Sequence, residues 1–216
     1  MLHETDFFFS DFDGTMSSKE FYEYFIDGAH KPHYELLLEQ VQQNQLTSFG
    51  FMQKLFSAIN ISAHTYDRYI AQFPLYHAVQ DVVSLVEKKG GTFSVISAGS
   101  CSYIRPILER HNLGHLPIFA NPGRFHKGNL YLDPPTKREY RCSYYGISKE
   151  AVLRDQIPTD ALCIYAGDGS SDFRAASCAD IRFARSSLAR RLSAAGLSYY
   201  PFESYDHIYT VLQKEI

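Results

Sequence analysis

The sequence predicts a doubly wound, mostly parallel α/β sheet with a small helical domain inserted after its first strand. An unbroken aromatic run, Phe7-Phe8-Phe9, is typical of a strand that is buried on both faces. After residue 76, strand-like apolar runs alternate with helical patterns, as they do in α/β folds. Residues 17–75 are helical and rich in aromatics, with no convincing strand. We therefore expect a core domain of residues 1–16 and 76–216 and an inserted helical domain of residues 17–75.

Local patterns predict each element in order. The first strand covers 6–11, and the insertion begins at a Ser17-x-x-Glu20 capping box and ends at Pro74. Joints between the helices of the insertion are expected at 44–48 and 60–62. The predicted core strands are 92–97, 117–120, 162–166 and 180–184, and a hairpin is expected at 125–132. Core helices are expected near 79–86, 103–110, 187–195 and 205–214, and a further helix begins near 148.

Composition excludes several classes of protein. The chain has 216 residues, of which 45% are hydrophobic and 15% aromatic, enough for a substantial core. A formal net charge of -3 argues against a general binder of nucleic acid or of anionic membranes. The four cysteines show no zinc-site spacing. No apolar run approaches the roughly 20 residues that are needed to cross a bilayer. The amino terminus has no signal-peptide pattern. We expect a cytoplasmic monomer or homodimer.

Two carboxylates, Asp11 and Asp13, follow the first strand and precede Gly14 and Thr15. In an extended chain, residues i and i+2 point to the same side, so the pair would converge at the carboxyl end of the strand. Open α/β sheets bind their ligands at that end. Like charges held together disfavour ionisation of both groups, so folding alone gives no reason for the pair. A cation and a catalytic task would explain it.

A second acidic motif, Gly167-Asp168-Gly169-Ser170-Ser171-Asp172, follows the predicted strand at 162–166. Asp168 and Asp172 are four residues apart at the start of a helix, which brings both to one spot, opposite Asp11 if the two strands are neighbours. Such an oxygen-only site suits Mg²⁺ rather than zinc. The same segment is also a good loop and helix cap, so taken alone it leaves both interpretations open.

Two further segments place polar groups at the ends of strands or the starts of helices. Ser97-Ala98-Gly99 ends the strand at 92–97, where a hydroxyl and N–H groups could bind phosphate, although a serine N-cap is the simpler explanation. Lys149 starts a helix, where the helix dipole does not favour a cation, so it fits better as a partner for Asp11. Its rivals for that role are Lys127, Lys137 and Arg141.

In order and context, these four motifs resemble those of the haloacid dehalogenase (HAD) superfamily of phosphatases, over nearly the whole chain. The resemblance implies a Rossmann-like core whose insertion is a C1-type cap that closes over small substrates and excludes water. It also implies a Mg²⁺-dependent phosphomonoesterase with an aspartyl-phosphate intermediate on Asp11, with Asp13 as general acid and then base and Lys149 as the catalytic cation. The implied phosphate-binding residues are Thr15, Ser97, Ala98 and Gly99, and the implied metal ligands are Asp11, Asp13, Asp168 and Asp172.

The substrate is expected to be a small phosphorylated metabolite, and two subfamilies are resembled. The segments Ile181–Arg185 and Leu197–Glu203 look like the methylthiopentenyl-phosphate phosphatases of methionine salvage, which act on 2-hydroxy-3-keto-5-methylthiopentenyl-1-phosphate. The Asp-Gly-Ser-Ser-Asp loop and Glu20 look more like phosphoserine phosphatases, in which an acid and a cap arginine hold the amino acid. Lys54 stands where that arginine is expected, without its bidentate fork. The sequence leaves both substrates open.

Other classes of function remain as alternatives. A phosphotransferase would use the same core and pass the phosphoryl group to a metabolite hydroxyl. A non-enzymatic phospho-acceptor switch would resemble a response-regulator receiver domain, but Asp13 and the insertion argue against it. A degenerate binding module is disfavoured because every motif position holds a competent residue. The aromatic density of the insertion suits a dry lid and plain helix packing equally.

Overall fold

A parallel six-stranded sheet forms the centre of the molecule. The computed structural model describes residues 6–215. The first five residues of the predicted core domain, and Ile216, lie outside the described residues. The strands are β1 Phe7–Ser10, β2 Thr92–Ser100, β3 Ile118–Asn121, β4 Gly123–His126, β5 Asn129–Leu132, β6 Arg141–Cys142, β7 Gly146–Ile147, β8 Cys163–Gly167, β9 Ile181–Ala184 and β10 Tyr200–Pro201. The order in the main sheet is β10-β9-β8-β1-β2-β3, with every neighbouring pair parallel.

Helices cover both faces of this sheet and form the insertion. The insertion contains two short 3-10 helices, Phe21–Phe25 and Gly28–His30, followed by α1 Lys31–Gln42, α2 Ser48–Phe56 and α3 Ala63–Gln72. The core helices are α4 Val79–Lys88, α5 Cys101–Arg110, α6 Lys149–Gln156, α7 Phe173–Cys178, α8 Ser186–Ala194 and α9 Tyr205–Glu215, with 3-10 turns at Arg138–Tyr140 and Ser170–Asp172. The predicted α/β class is therefore confirmed.

The aromatic run in β1 is buried on both faces, as predicted. Phe8 and Phe9 are both at most 1% exposed and point to opposite sides of the sheet. Phe8 stacks on Phe93 of β2 at 4.9 Å between ring centroids, in a cluster that includes the buried faces of α4, α5 and α9. Phe9 belongs to a second cluster with residues of α6, α7 and α8. The three layers thus meet at the central strand.

The order of the strands creates a crevice at the carboxyl end of β1. From β1 the chain builds outward through β2 and β3, then returns to the other side of β1 to build β8, β9 and β10. Such a reversal of strand order is where ligands bind in open α/β sheets. Asp11 follows β1 and Asp168 follows its neighbour β8, so both lie at this point.

The insertion differs from the prediction at its start. No capping box opens a helix at Ser17, because the Ser17 hydroxyl donates to the Lys19 carbonyl and a 3-10 helix begins only at Phe21. The first full helix, α1, begins at Lys31 with Pro32 in its first turn, the helical position that tolerates proline. The predicted joints at 44–48 and 60–62 and the end before Pro74 are confirmed.

The core also contains elements that the sequence did not predict. Strand β2 continues to Ser100 rather than ending at Ser97, and the N-cap of α5 is Ser100, whose hydroxyl accepts from the N–H of Ser102. The two-residue strands β6, β7 and β10 are also additions. No helix within residues 6–215 is long and apolar enough to span a membrane.

An aromatic cluster joins the insertion to the core. Phe21 lies at its centre, fully buried, and stacks on Tyr103 of α5 at 4.2 Å between centroids with an interplanar angle of 10°. Phe12, which follows β1, stacks on Phe73 at the end of α3. These side chains form one cluster with the valines of α4, so hydrophobic burial attaches the insertion to the sheet.

The central position of Phe8 predicts a large loss of stability on truncation. Phe8→Ala removes a fully packed ring and should lower the free energy of unfolding by about 3–5 kcal/mol, measured by urea denaturation. Leu36→Ala is the matched control, because Leu36 is 53% exposed and its loss should change stability by less than about 0.5 kcal/mol. A Phe8→Ala loss as small as that of the control would contradict the packing described here.

Candidate active site

Three carboxylates from two distant segments of the chain meet at the crevice. The backbone N–H of Asp11 donates to the Ala166 carbonyl at 2.9 Å, which continues the β1–β8 pairing and brings Asp11 beside the segment that carries Asp168. One carboxylate oxygen from each of Asp11, Asp168 and Asp172 lies within 4.8 Å of the others. The convergence expected from the two acidic motifs is therefore present in the structure.

Lys149 lies between two of these carboxylates. Its Nζ is 2.7 Å from Asp11 Oδ1 and 2.6 Å from Asp172 Oδ1, and the lysine is 3% exposed. Burial alone would lower the pKa of Lys149, but the carboxylates of Asp11 and Asp172 raise it above its usual value, so the ammonium stays charged. Among the rivals named from sequence, Lys137 instead pairs with Asp155 at the surface.

Asp172 is fully buried and held by four donors. Its Oδ1 accepts hydrogen bonds from Lys149 and from the Tyr165 hydroxyl at 2.7 Å. Its Oδ2 accepts from the backbone N–H groups of Asp168, at 3.2 Å, and of Gly169, at 2.8 Å. Asp172 therefore fixes the loop that carries Asp168. Sequence reasoning missed Tyr165, although a tyrosine inside the buried strand before the acidic loop was a visible signal.

The charges at this cluster fit a divalent cation. Burial and the nearby Asp172 raise the pKa of Asp11 well above its usual value, although Lys149 opposes the shift. The same two causes raise the pKa of Asp168 to about 6. One ammonium thus faces three carboxyl groups whose ionised forms disfavour one another, and their oxygens are ligands of the kind that Mg²⁺ prefers. The oxygens of Asp11 and Asp168 have fewer donors than those of Asp172.

Asp13 is not one of the three residues whose carboxylate oxygens converge, so its expected role as a metal ligand stays a prediction. Its Oδ1 accepts from the backbone N–H of Phe21 at 2.8 Å, and its Oδ2 accepts from the Tyr103 hydroxyl at 2.7 Å. The physical reason is that β1 ends at Ser10, so the alternation of side chains in a strand does not extend to Asp13. Burial raises the pKa of Asp13 to about 6 against the opposing effect of these hydrogen bonds.

The turn after Asp13 contacts Asp168 and does not line the cavity. The Thr15 hydroxyl donates to Asp168 Oδ1 at 3.0 Å. Thr15 is fully buried and does not line the cavity, so the structure does not support its predicted contact with phosphate. Gly14 has a φ of +75°, and a Cβ there would lie 2.8 Å from Asp168 Oδ2. This close approach requires glycine at position 14.

The Ser97-Ala98-Gly99 segment lines the cavity from within an extended strand rather than from the opening of a helix. Ser97 Oγ accepts the Gly99 N–H at 2.9 Å, which leaves its own O–H free to donate. The buried Asn121 side chain donates to the Ala98 carbonyl at 2.8 Å and to the Tyr145 carbonyl at 3.1 Å. Asn121 thus ties this segment to a second wall of the cavity, a role the sequence did not reveal.

A cavity of about 220 Å³ opens above these groups and is shared by the core and the insertion. The insertion contributes Glu20, Tyr22, Phe49 and Met52, and the core adds Tyr145. Aromatic side chains of the insertion therefore pack within its helices and also give the cavity a partly apolar wall.

Two residues that the phosphoserine resemblance suggested lie in different surroundings. Lys54 is exposed and does not line the cavity, which corrects its predicted substrate contact, because it lies on the outer side of α2. Glu20 does line the cavity. Burial, followed by the charges of Asp13 and Asp168, raises the pKa of Glu20 to about 8, so its carboxyl group is largely neutral near pH 7.

A comparison with protein families agrees with this geometry. The family model described as haloacid dehalogenase-like hydrolase matches residues 8–177, which include Asp11, Lys149 and both acids of the second motif. The chain belongs to the haloacid dehalogenase-like hydrolase family. The chain is therefore a hydrolase whose charged cluster lies within the matched region.

Relatives of this hydrolase carry a more specific name. The chain is 24% identical over 209 residues to a 2-hydroxy-3-keto-5-methylthiopentenyl-1-phosphate phosphatase of Brevibacillus brevis, covering 95% of this chain and 94% of the relative. It is 26% identical over 214 residues to a protein of the same name from Bacillus cereus, with the same shares covered. Both alignments span nearly the full length of each protein.

Solved structures show the same fold at lower identity. A HAD family hydrolase from Salmonella enterica serovar Typhi superposes with a TM-score of 0.75 at 14% identity, covering 100% of this chain and 74% of that one. A phospho-aspartyl intermediate analogue of phosphoserine phosphatase superposes with a TM-score of 0.70 at 15% identity, covering 97% and 98% of the two chains. These likenesses confirm the fold of the hydrolase.

The environment of Glu20 predicts how stability depends on pH. The pKa of about 8 in the folded state lies above the ordinary value of 4.5, so this group's contribution to stability is lost as pH rises from about 4.5 to about 8. In the Glu20→Gln variant, the side chain at position 20 has no group that titrates. Relative to the unmodified protein, the variant should therefore gain on the order of 4 kcal/mol in unfolding free energy between pH 5 and pH 9.

The measurement is urea unfolding of both proteins at the two pH values without added metal. Because the other buried acids are common to both proteins, their titration largely cancels in the difference. A difference that stays constant between pH 5 and pH 9 would contradict the buried, neutral state described for Glu20.

Proposed function

We propose that this hydrolase is a Mg²⁺-dependent phosphomonoesterase that cleaves a small phosphorylated metabolite through an aspartyl-phosphate on Asp11. The observation that carries the proposal is the placement of Asp11. It lies at the mouth of a cavity, hydrogen-bonded to a buried ammonium and within 4.8 Å of two further carboxylates. Asp13, two residues later, faces the same cavity in a different set of hydrogen bonds. These different surroundings support nucleophilic attack by Asp11 and proton transfer by Asp13.

In the proposed mechanism each side chain has one task. An Asp11 oxygen attacks phosphorus, the bond from phosphorus to the leaving oxygen breaks, and Asp13 gives that oxygen a proton. Asp13 then takes a proton from water, which attacks phosphorus and releases phosphate from Asp11. Lys149 keeps one Asp11 oxygen oriented and stabilises negative charge near the transferred group. Ser97, whose hydroxyl remains free to donate, would bind a phosphate oxygen.

Asp11, Asp168 and Asp172 would hold the Mg²⁺ ion, which would offset the repulsion between carboxylates and phosphate. Residues 17–75 would act as the cap over the core of 1–16 and 76–216, because Tyr22, Phe49 and Met52 complete the cavity from the side opposite the sheet. The cytoplasmic location and the monomeric or dimeric state remain predictions from the sequence.

We propose 2-hydroxy-3-keto-5-methylthiopentenyl-1-phosphate, of methionine salvage, as the substrate. The names of full-length relatives support this choice. The cavity supports it independently, since no lysine, arginine or histidine lines it among residues 6–215. A substrate with an apolar thioether tail and neutral oxygens suits the wall of Tyr22, Phe49 and Met52. Neutral Glu20 can donate a hydrogen bond to a keto oxygen.

Phosphoserine is the second candidate, and one observation favours it: Glu20 lies in the cavity where an acid could meet an ammonium group. The same cavity offers the carboxylate of phosphoserine no cation, because Lys54 is exposed on the outer side of α2. Burying a carboxylate without a partner is unfavourable by several kcal/mol. Phosphoserine should therefore be the poorer substrate.

A phosphotransferase would share the first half of this mechanism and differ only in the acceptor. Product analysis with added metabolite alcohols separates it from a hydrolase. Sustained turnover of p-nitrophenyl phosphate excludes a phospho-acceptor switch, because a switch stops after one phosphorylation.

The nucleophile assignment predicts the effect of Asp11→Asn. The variant should lose turnover by on the order of 10⁴-fold or more, since an amide oxygen is a poor nucleophile. It should still fold and still show a Mg²⁺-dependent rise in melting temperature, because the other ligands remain. Asp155→Asn is the control, as this aspartate lies at the surface with Lys137 and should leave activity unchanged. Near-full activity of Asp11→Asn would contradict the assignment of Asp11 as the nucleophile.

The cavity wall predicts substrate preference. The kcat/KM for the enol phosphate should exceed that for phosphoserine by on the order of 10²-fold, owing to the unpaired carboxylate. Lys54→Gln should leave both values unchanged within about twofold. Steady-state kinetics with both substrates and both proteins provides the test. A preference for phosphoserine, together with a raised KM for it in Lys54→Gln, would reverse the substrate assignment.

A further inference from the structure

The Asp13 carboxyl group is held between two aromatic residues that are stacked on each other. Oδ2 accepts from the Tyr103 hydroxyl at 2.7 Å, and Oδ1 accepts from the Phe21 backbone N–H at 2.8 Å. The rings of Tyr103 and Phe21 lie parallel at 4.2 Å between centroids, one from α5 and the other from the insertion. Both donors to Asp13 are therefore fixed by the same buried ring pair, which leaves the carboxyl group little freedom to rotate.

The absence of a side chain at Gly99 leaves room for the Tyr103 hydroxyl. A Cβ atom at Gly99 would lie 1.9 Å from the Tyr103 hydroxyl oxygen and 2.7 Å from Asp13 Oδ2. Any larger residue at position 99 would displace the hydroxyl from Asp13, because the buried tyrosine ring cannot swing aside. The glycine of the Ser97-Ala98-Gly99 segment therefore has a role besides lining the cavity: it admits this hydrogen bond.

The tyrosine donates the hydrogen bond and does not exchange the proton itself. Tyr103 is fully buried, and burial together with the neighbouring Asp13 raises the pKa of its hydroxyl well above the usual value. It stays a neutral phenol and does not line the cavity. Any effect of Tyr103 on chemistry must pass through Asp13.

We propose that Tyr103 is a positioning residue for phosphoryl transfer, whose hydroxyl orients the Asp13 carboxyl group toward the leaving oxygen and away from the cluster of Asp11, Asp168 and Asp172. The inference rests on the proposed phosphomonoesterase activity. Without the hydroxyl, one Asp13 oxygen loses its donor and the carboxyl group can turn toward that cluster. Proton delivery to the leaving group then suffers, while attack by Asp11 does not.

The test compares two leaving groups in Tyr103→Phe, which keeps the ring stack and removes only the hydroxyl. An alkyl phosphate releases a basic alkoxide that needs a proton, whereas p-nitrophenyl phosphate releases a weakly basic phenolate that does not. The kcat/KM reports the steps through release of the alcohol. It should fall on the order of 10²-fold for the alkyl phosphate and less than about threefold for p-nitrophenyl phosphate.

Tyr66→Phe is the matched control. Tyr66 is a buried tyrosine of the same cluster, 6.0 Å from Phe21 between ring centroids, but its hydroxyl lies 3.5 Å from Ser102 Oγ and not at Asp13. Both substrates should retain their kcat/KM in this variant. In an Asp13→Asn background, Tyr103→Phe should cause no further loss for the alkyl phosphate, because both changes remove the same proton transfer.

Equal losses for the two substrates, or no loss for either, would overturn the role of Tyr103. In that case, loss of both activities in Asp11→Asn would show that the proposed phosphatase mechanism still stands. Failure of the unmodified protein to hydrolyse any phosphate monoester would instead remove the proposed function, and the inference about Tyr103 with it.

Discussion

The buried ammonium of Lys149 is the interaction on which the site depends. A charge that is 3% exposed is strongly unfavourable unless it is paired, and Asp11 and Asp172 supply the pairs. Lys149 is also the first residue of α6, where the helix dipole opposes a cation, so the carboxylates must hold it there. The arrangement fixes the end of β1, the acidic loop and the start of α6 against one another. It also leaves negative charge in surplus, which a divalent cation can neutralise.

Two carboxylates one residue apart acquire different properties because the chain leaves the sheet between them. Asp11 still follows the β1–β8 pairing and faces charged groups. Asp13 lies in the following turn and receives only neutral donors, the Phe21 N–H and the Tyr103 hydroxyl. Gly14 makes this turn possible by allowing a positive φ and the close approach of Asp168. A short change of backbone direction thus gives the proposed nucleophile and the proposed proton donor different surroundings.

Sequence reasoning succeeded where local pattern determines position. The buried strand at Phe7–Ser10, the acidic loop after β8 and the lysine at the start of α6 all follow from strand order and helix phase. It was wrong where a side chain's direction depends on distant packing. Lys54 points outward because α2 turns other residues toward the cavity, and Thr15 faces Asp168 rather than the cavity. The contact between Asp13 and Tyr103 spans 90 residues, and no local signal reveals it.

Under the proposed function, the chemistry and the choice of substrate belong to different parts of the fold. The charged groups come from the ends of β1 and β8 and the start of α6, which the sheet and its flanking helices hold in place. The wall that faces the rest of a substrate comes from the insertion, through Tyr22, Phe49 and Met52. Substitutions in that wall can alter which metabolite fits without moving a carboxylate. The exception is Phe21, whose backbone N–H donates to Asp13, so the packing of the insertion and the orientation of the Asp13 carboxyl group are coupled at one residue.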